Sequence, residues 1–156
     1  APGYPAFLND WLGATYLNHG PLPQAGNLSN SDVRILGEHF GDNSGGSVSS
    51  AGDVNGDGFG DILIGASGDD TGASGAGAVY LLYGPVDGGT SGDFNLASAD
   101  AKFHGTHDND GVELATGAGD FDGDGFDDIV VGARHNDVWC SGCGAVYIIY
   151  GEGLWQ

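Results

Sequence analysis

Apolar residues in this chain come in short dense runs set between clusters of Gly, Asp and Ser. SVSSA (47–51), DILIGA (61–66), AVYLLY (78–83) and AKFHG (101–105) form one series. ELATG (113–117), DIVVGA (128–133) and AVYIIY (145–150) form a second. Short runs of Val, Ile, Leu and Tyr between turn residues predict strands. ILI and VYLLY are apolar at successive positions, not alternate ones, so both faces of these strands are expected to be buried in stacked sheets. No segment has a 3.6-residue period, and 32 glycines argue against long helices. The predicted fold class is all-β.

The two series are copies of each other. Gly52–Gly84 overlays Gly119–Gly151 without gaps at a shift of 67. With small gaps the match extends upstream, DNSGGSVSS onto DNDGVELAT and VRILGE onto AKFHGT. Such self-similarity marks a stacked repeat architecture. The expected organisation is an N-terminal arm at 1–30, a first repeat at 31–105, and a second at 106–156 with a short tail.

The formal net charge is −19, and Arg34, Lys102 and Arg134 are the only Lys or Arg residues. Nucleic acid is a poor partner for such a chain, because phosphate binding needs clustered cations. An anionic membrane would repel it, and no apolar run has the length of a spanning helix. An imbalance of this size destabilises a compact state unless counter-ions bind.

The acidic residues concentrate in two turns. GDVNGDGFGD (52–61) and GDFDGDGFDD (119–128) both read D-x-[DN]-x-D-G-x-x-D. Oxygen donors at positions 1, 3, 5 and 9, with the carbonyl of position 7, can converge on one hard cation. The glycine at position 6 permits the sharp turn. The expected ligands are Asp53, Asn55, Asp57, the Phe59 carbonyl and Asp61 in the first loop. In the second they are Asp120, Asp122, Asp124, the Phe126 carbonyl and Asp128. An all-oxygen set favours Ca²⁺, at two sites. Mg²⁺ prefers a stricter octahedron, and transition metals would want His or Cys, which the loops lack. An EF-hand needs a Glu at position 12 and flanking helices; here position 12 is Ile64 or Val131, and strands follow.

Phe40-Gly41, then GDVNGDGFGD, ILIGA and GAVYLLYG resemble the FG-GAP repeat, the blade unit of the integrin alpha-subunit β-propeller and of many secreted bacterial proteins. The resemblance covers roughly residues 31–151. It implies two four-stranded antiparallel propeller-type blades, each with Ca²⁺ in the hairpin between its first two strands. The second unit departs from the pattern, with His104-Gly105 where Phe-Gly is looked for and Gly-Ala-Arg (132–134) in place of Gly-Ala-Pro.

Closed propellers need about 4–8 blades. VRILG (33–37) matches the fourth strand of the first unit, whereas the second unit has no fourth strand after AVYIIY. The expectation is therefore that strand 33–37 of one copy completes the second blade of the next, head to tail, in a ring or filament. Fragmenthood within a longer propeller is the alternative. Residues 1–30, with Tyr4, Phe7, Leu8, Trp11, Leu12, Tyr16 and Leu17, read as an arm packing on blades of its own or a neighbouring copy. Leu154 and Trp155 read as a similar plug.

Cys140 and Cys143 have no second pair to complete a zinc site, so the expectation is a local disulfide in an oxidising compartment, with free thiols as the alternative. The absence of Met, even at position 1, reads as a processed or trimmed chain. Asn27-Leu28-Ser29 fits a glycosylation acceptor. His104, His107 and His135 lie in polar loops or at strand ends and read as surface residues. No nucleophile motif or phosphate loop is present, so no enzyme activity is expected. The expected protein is secreted or on a cell surface, calcium-binding and self-assembling. A propeller module that binds a protein or glycan is the alternative.

Overall fold

The computed structural model describes residues 12–20, 27–87 and 92–152. Its strands are β1 (Ala14–Leu17), β2 (Val33–Leu36), β3 (Ser44–Gly52), β4 (Asp61–Ala66), β5 (Ala78–Leu82), β6 (Asp93–Asn95), β7 (Ala101–His104), β8 (Val112–Gly119), β9 (Asp128–Ala133) and β10 (Ala145–Ile149). The protein is all-β, as its sequence pattern requires. β3-β4-β5-β7 is a four-stranded antiparallel blade, and β8-β9-β10 repeats its first three strands. Ile62 faces Leu82 in the first blade, and Ile129 faces Ile149 in the second.

A third sheet, β1-β2-β6, corrects the reading of the N-terminal region. β1 pairs antiparallel with β2, placing Tyr16 opposite Arg34, just as β5 pairs with β7 and places Tyr80 opposite Lys102. Ala14–Leu17 thus has the register of a third blade strand beside its own fourth strand, so this part of the expected arm is a sheet strand. Val33–Leu36 is not spare either. β1 takes one edge, β6 pairs in parallel along the other, and Val33 and Ile35 are fully buried. Donating this strand to another copy would break both pairings and expose its core. Residues 1–11, 21–26 and 153–156, including Leu154 and Trp155, lie outside the described residues.

The same geometry corrects the position of the Phe-Gly pair. The backbone N–H of His39 donates to Asp42, and that of His107 donates to Asp110. Gly41 and Asn43 take positive φ, as do Asn109 and Gly111. These pairs all match at a shift of 68, so the counterpart of Phe40-Gly41 is Asp108-Asn109, not His104-Gly105.

The core lies between sheets. Val33 and Ile35 pack with Ile64, Ala66, Ala78, Tyr80 and Leu82 on one face of the first blade, and Leu96 helps close this layer. Leu63, Val79 and Leu81 point the other way, onto Val112, Ile129, Val131 and Ala133 of the second blade. Alternate side chains of β4 and β5 therefore serve different interfaces, and their unbroken apolar pattern follows. β10 departs from the expected two-sided burial: Val146, Tyr147 and Ile148 remain 70%, 45% and 43% exposed. Among the described residues no strand pairs with its outer edge.

One polar knot sits in the first layer. Lys102 Nζ lies 2.7 Å from Glu38 and 2.8 Å from Asp69, and the buried Tyr80 hydroxyl lies 2.9 Å from each carboxylate, sharing its one proton between them. The Lys102 hydrogen bond holds Glu38 below the usual carboxylate range. Burial opposes the Asp69 charge, but hydrogen bonds from Lys102, Thr71 and Tyr80 outweigh it and lower that pKa too. Burial likewise works against the Lys102 charge, and Asp69 and Glu38 more than restore it. Lys102→Met should cost about 2–3 kcal/mol in chemical denaturation, because it strands the Asp69 carboxylate in the core. Both carboxylate pKa values are lowered by folding, so their contribution is complete above about pH 5 and is lost as pH falls through the folded values. The difference between wild type and variant should therefore shrink in acid, as read from denaturation midpoints at several pH values.

Candidate metal centre

The two acidic loops are the β3–β4 and β8–β9 hairpin turns, built alike. Asp53 accepts the N–H groups of Asp57 and Gly58 at 3.0 Å, Asn55 accepts Asp57 N–H at 3.1 Å, and Asp57 accepts Phe59 N–H at 2.8 Å. Asp120 accepts Gly123, Asp124 and Gly125, Asp122 accepts Asp124, and Asp124 accepts Phe126. The loop thus winds around its own carboxylates. Gly58 and Gly125 at the sixth positions have φ of 89° and 98°, a conformation costly for other residues.

Asp120, Asp122 and Asp124 each offer an oxygen within 4.8 Å of the others. Among the described residues this is the one such group of three or more His, Cys, Asp or Glu side chains. Carboxylates this close repel one another, and Asp122 is held above the ordinary carboxylate range by desolvation first, then by Asp124, Asp128 and Asp120. The cluster can hold a metal, and its exposed all-oxygen donor set fits a hard cation such as Ca²⁺. In the first loop Asn55 replaces the middle carboxylate and is buried. Phe59 and Phe126 occupy the seventh positions of the two loops.

Asp61 and Asp128 have a second role that spacing did not reveal. Both are buried. Asp61 accepts Val54 N–H with one oxygen and Gly84 N–H with the other, at 2.8 and 2.9 Å. Asp128 does the same with Phe121 and Gly151, at 2.7 and 2.9 Å. Each carboxylate clamps its loop to the end of the third strand. Burial raises the Asp61 pKa, the two N–H bonds oppose it, and the Asp57 and Asp53 charges raise it further.

The histidines do not form a common centre. His104 Nδ1 contacts the Gly105 carbonyl, His107 lies 3.7 Å from Asp110, and His135 is exposed. Cys140 and Cys143 are disulfide-bonded, and the 89% exposed Trp139 directly precedes the loop they close.

Stacked antiparallel blades with a D-x-[DN]-x-D-G-x-x-D hairpin define a propeller-type repeat. Residues 44–82 and 114–149 match the FG-GAP repeat family model, so the chain carries two FG-GAP repeats. It is similar to integrin alpha pat-2 of Caenorhabditis briggsae, 34% identical over 127 residues, and of Caenorhabditis elegans, 33% identical over 127 residues. The match takes in 81% of this chain but only 10% of each relative.

The two kinds of aspartate should separate by experiment. Asp61→Ala or Asp128→Ala leaves two N–H groups without their acceptor and should cost about 2–4 kcal/mol even in chelator. Asp57→Ala or Asp124→Ala should remove only the part of the melting temperature that calcium adds. Thermal melts of all four variants in calcium and in chelator would check this.

Proposed function

We propose that the chain is a calcium-braced module of an adhesion-type β-propeller that binds a protein ligand at the cell surface or outside the cell. The observation that carries this reading is the doubled oxygen-donor loop on two stacked FG-GAP blades. Similarity to integrin alpha subunits and the Cys140–Cys143 disulfide support the setting. Two Ca²⁺ ions, one per loop, would be held by Asp53, Asn55, Asp57, Phe59 and Asp61, and by Asp120, Asp122, Asp124, Phe126 and Asp128. They would relieve the self-repulsion of loops that are otherwise acidic and exposed, so that metal binding adds to folding stability. The reading assigns recognition to surface loops and no chemistry to any side chain.

A second reading, association between copies, is favoured by the uncovered apolar side chains of β10. It cannot use Val33–Leu36 in the expected way, because that strand is paired on both edges. Light scattering of the purified chain in calcium should give a single small species; rings or filaments would favour association instead.

Calorimetric titration of the full chain with calcium should show two sites, and the melting temperature should fall when calcium is chelated. Identical melts in both conditions would sink the metal reading. Cells should attach to surfaces coated with the chain in calcium, and less so to an Asp57→Ala/Asp124→Ala double variant. Equal attachment to an uncoated control would refute the adhesion role.

A further inference from the structure

The two loops differ at their eighth positions, Gly60 in the first and Asp127 in the second. Asp127 has no place in the ligand pattern, and it reaches across to the other loop. Its Oδ2 accepts the backbone N–H of Asp53 at 2.8 Å, and its own N–H donates to the Asp53 carbonyl at 3.1 Å. Asp53 is the first position of the first loop. Asp127 stands between Phe126 and Asp128, the seventh and ninth positions of the second.

The surroundings are shaped for this contact. A Cβ on Gly52 would lie 2.1 Å from Asp127 Oδ2, and a Cβ on Gly56 would lie 2.4 Å from the Phe126 ring. Glycines in the first loop thus form a notch into which Phe126 and Asp127 fit. The Glu152 N–H then bonds the Val54 carbonyl, bringing the end of the second blade onto the same loop. The contact is reciprocal, short and partly buried, and it joins backbone that carries ligand positions on both sides.

We infer that Asp127 couples the two metal loops, so that ordering either one raises the cation affinity of the other. The inference rests on the calcium reading above. Residues 126–128 cannot shift without moving the acceptor of Asp53 N–H, and Asp53 cannot shift without moving Asp127. Whatever holds one loop in its binding geometry lowers the ordering cost of the other, and linkage makes the effect equal in both directions.

The test uses the full chain, calcium as the probe, and amide NMR signals of Gly58 and Gly125 as separate reporters of the two loops. In the wild-type background Asp124→Asn, which disables the second loop with little change of shape, should weaken calcium binding at the first about 5–10-fold. Asp57→Asn should weaken the second loop by the same factor. In an Asp127→Gly background, which copies Gly60 of the first loop, both cross-effects should vanish. Asp127→Asn keeps an acceptor for Asp53 N–H and should retain them. Two loops that bind calcium with no cross-effect, or a cross-effect that survives Asp127→Gly, would overturn the coupling and leave the metal reading standing. Calcium shifts at neither glycine would remove the metal reading and the coupling with it.

Discussion

The first blade in this protein has two apolar faces, and each is covered by a neighbouring sheet. Leu63 and Ile64 are adjacent in sequence and point in opposite directions, and both are buried, in different layers. The hydrophobic effect therefore acts between sheets more than within them. The rest of the arrangement follows from that stacking. β2 is held against the first blade because Val33 and Ile35 bury their side chains there, and Leu96 helps close the layer they form.

Stacking also sets where polar groups are tolerated. The knot of Lys102, Glu38, Asp69 and Tyr80 joins loop, strand and neighbouring sheet in the first layer. At the second layer Asn136 donates to Asp110 at 3.2 Å, a bond to which it brings no charge. The two interfaces are alike in apolar shape and different in electrostatics, so the blades are not interchangeable even though their strands overlay.

The acidic hairpins lie at the ends of these stacked sheets, and their order is inherited from them. Asp61 and Asp128 tie each loop to the third strand of its own blade. Asp127 ties the second loop to the first. A set of like charges is thereby held in place by backbone N–H groups, with the remaining repulsion available to a cation. The calcium reading and the adhesion reading depend on this differently. The first needs only the loops, whereas the second needs the loops presented on a rigid stack, which is what supports recognition by surface loops in general.

Strand type, the repeat, the hairpin loops and their oxygen-donor pattern were all legible in the chain itself, because each depends on residues close together in sequence. β4 and β9 fall on DILIGA and DIVVGA with the bounds the pattern predicts. β1 was hidden for a local reason: Gly13-Ala-Thr-Tyr-Leu begins like Gly77-Ala-Val-Tyr-Leu, but Asn18 and His19 follow where the other copy has Leu82 and Tyr83, so the apolar run is cut short. The partners of β2, the clamps made by Asp61 and Asp128, and the reach of Asp127 to Asp53 were decided only in three dimensions. Asp127 and Asp53 are 74 residues apart, and no spacing rule spans that distance; they meet because packing the second blade on one apolar face of the first brings successive hairpins side by side.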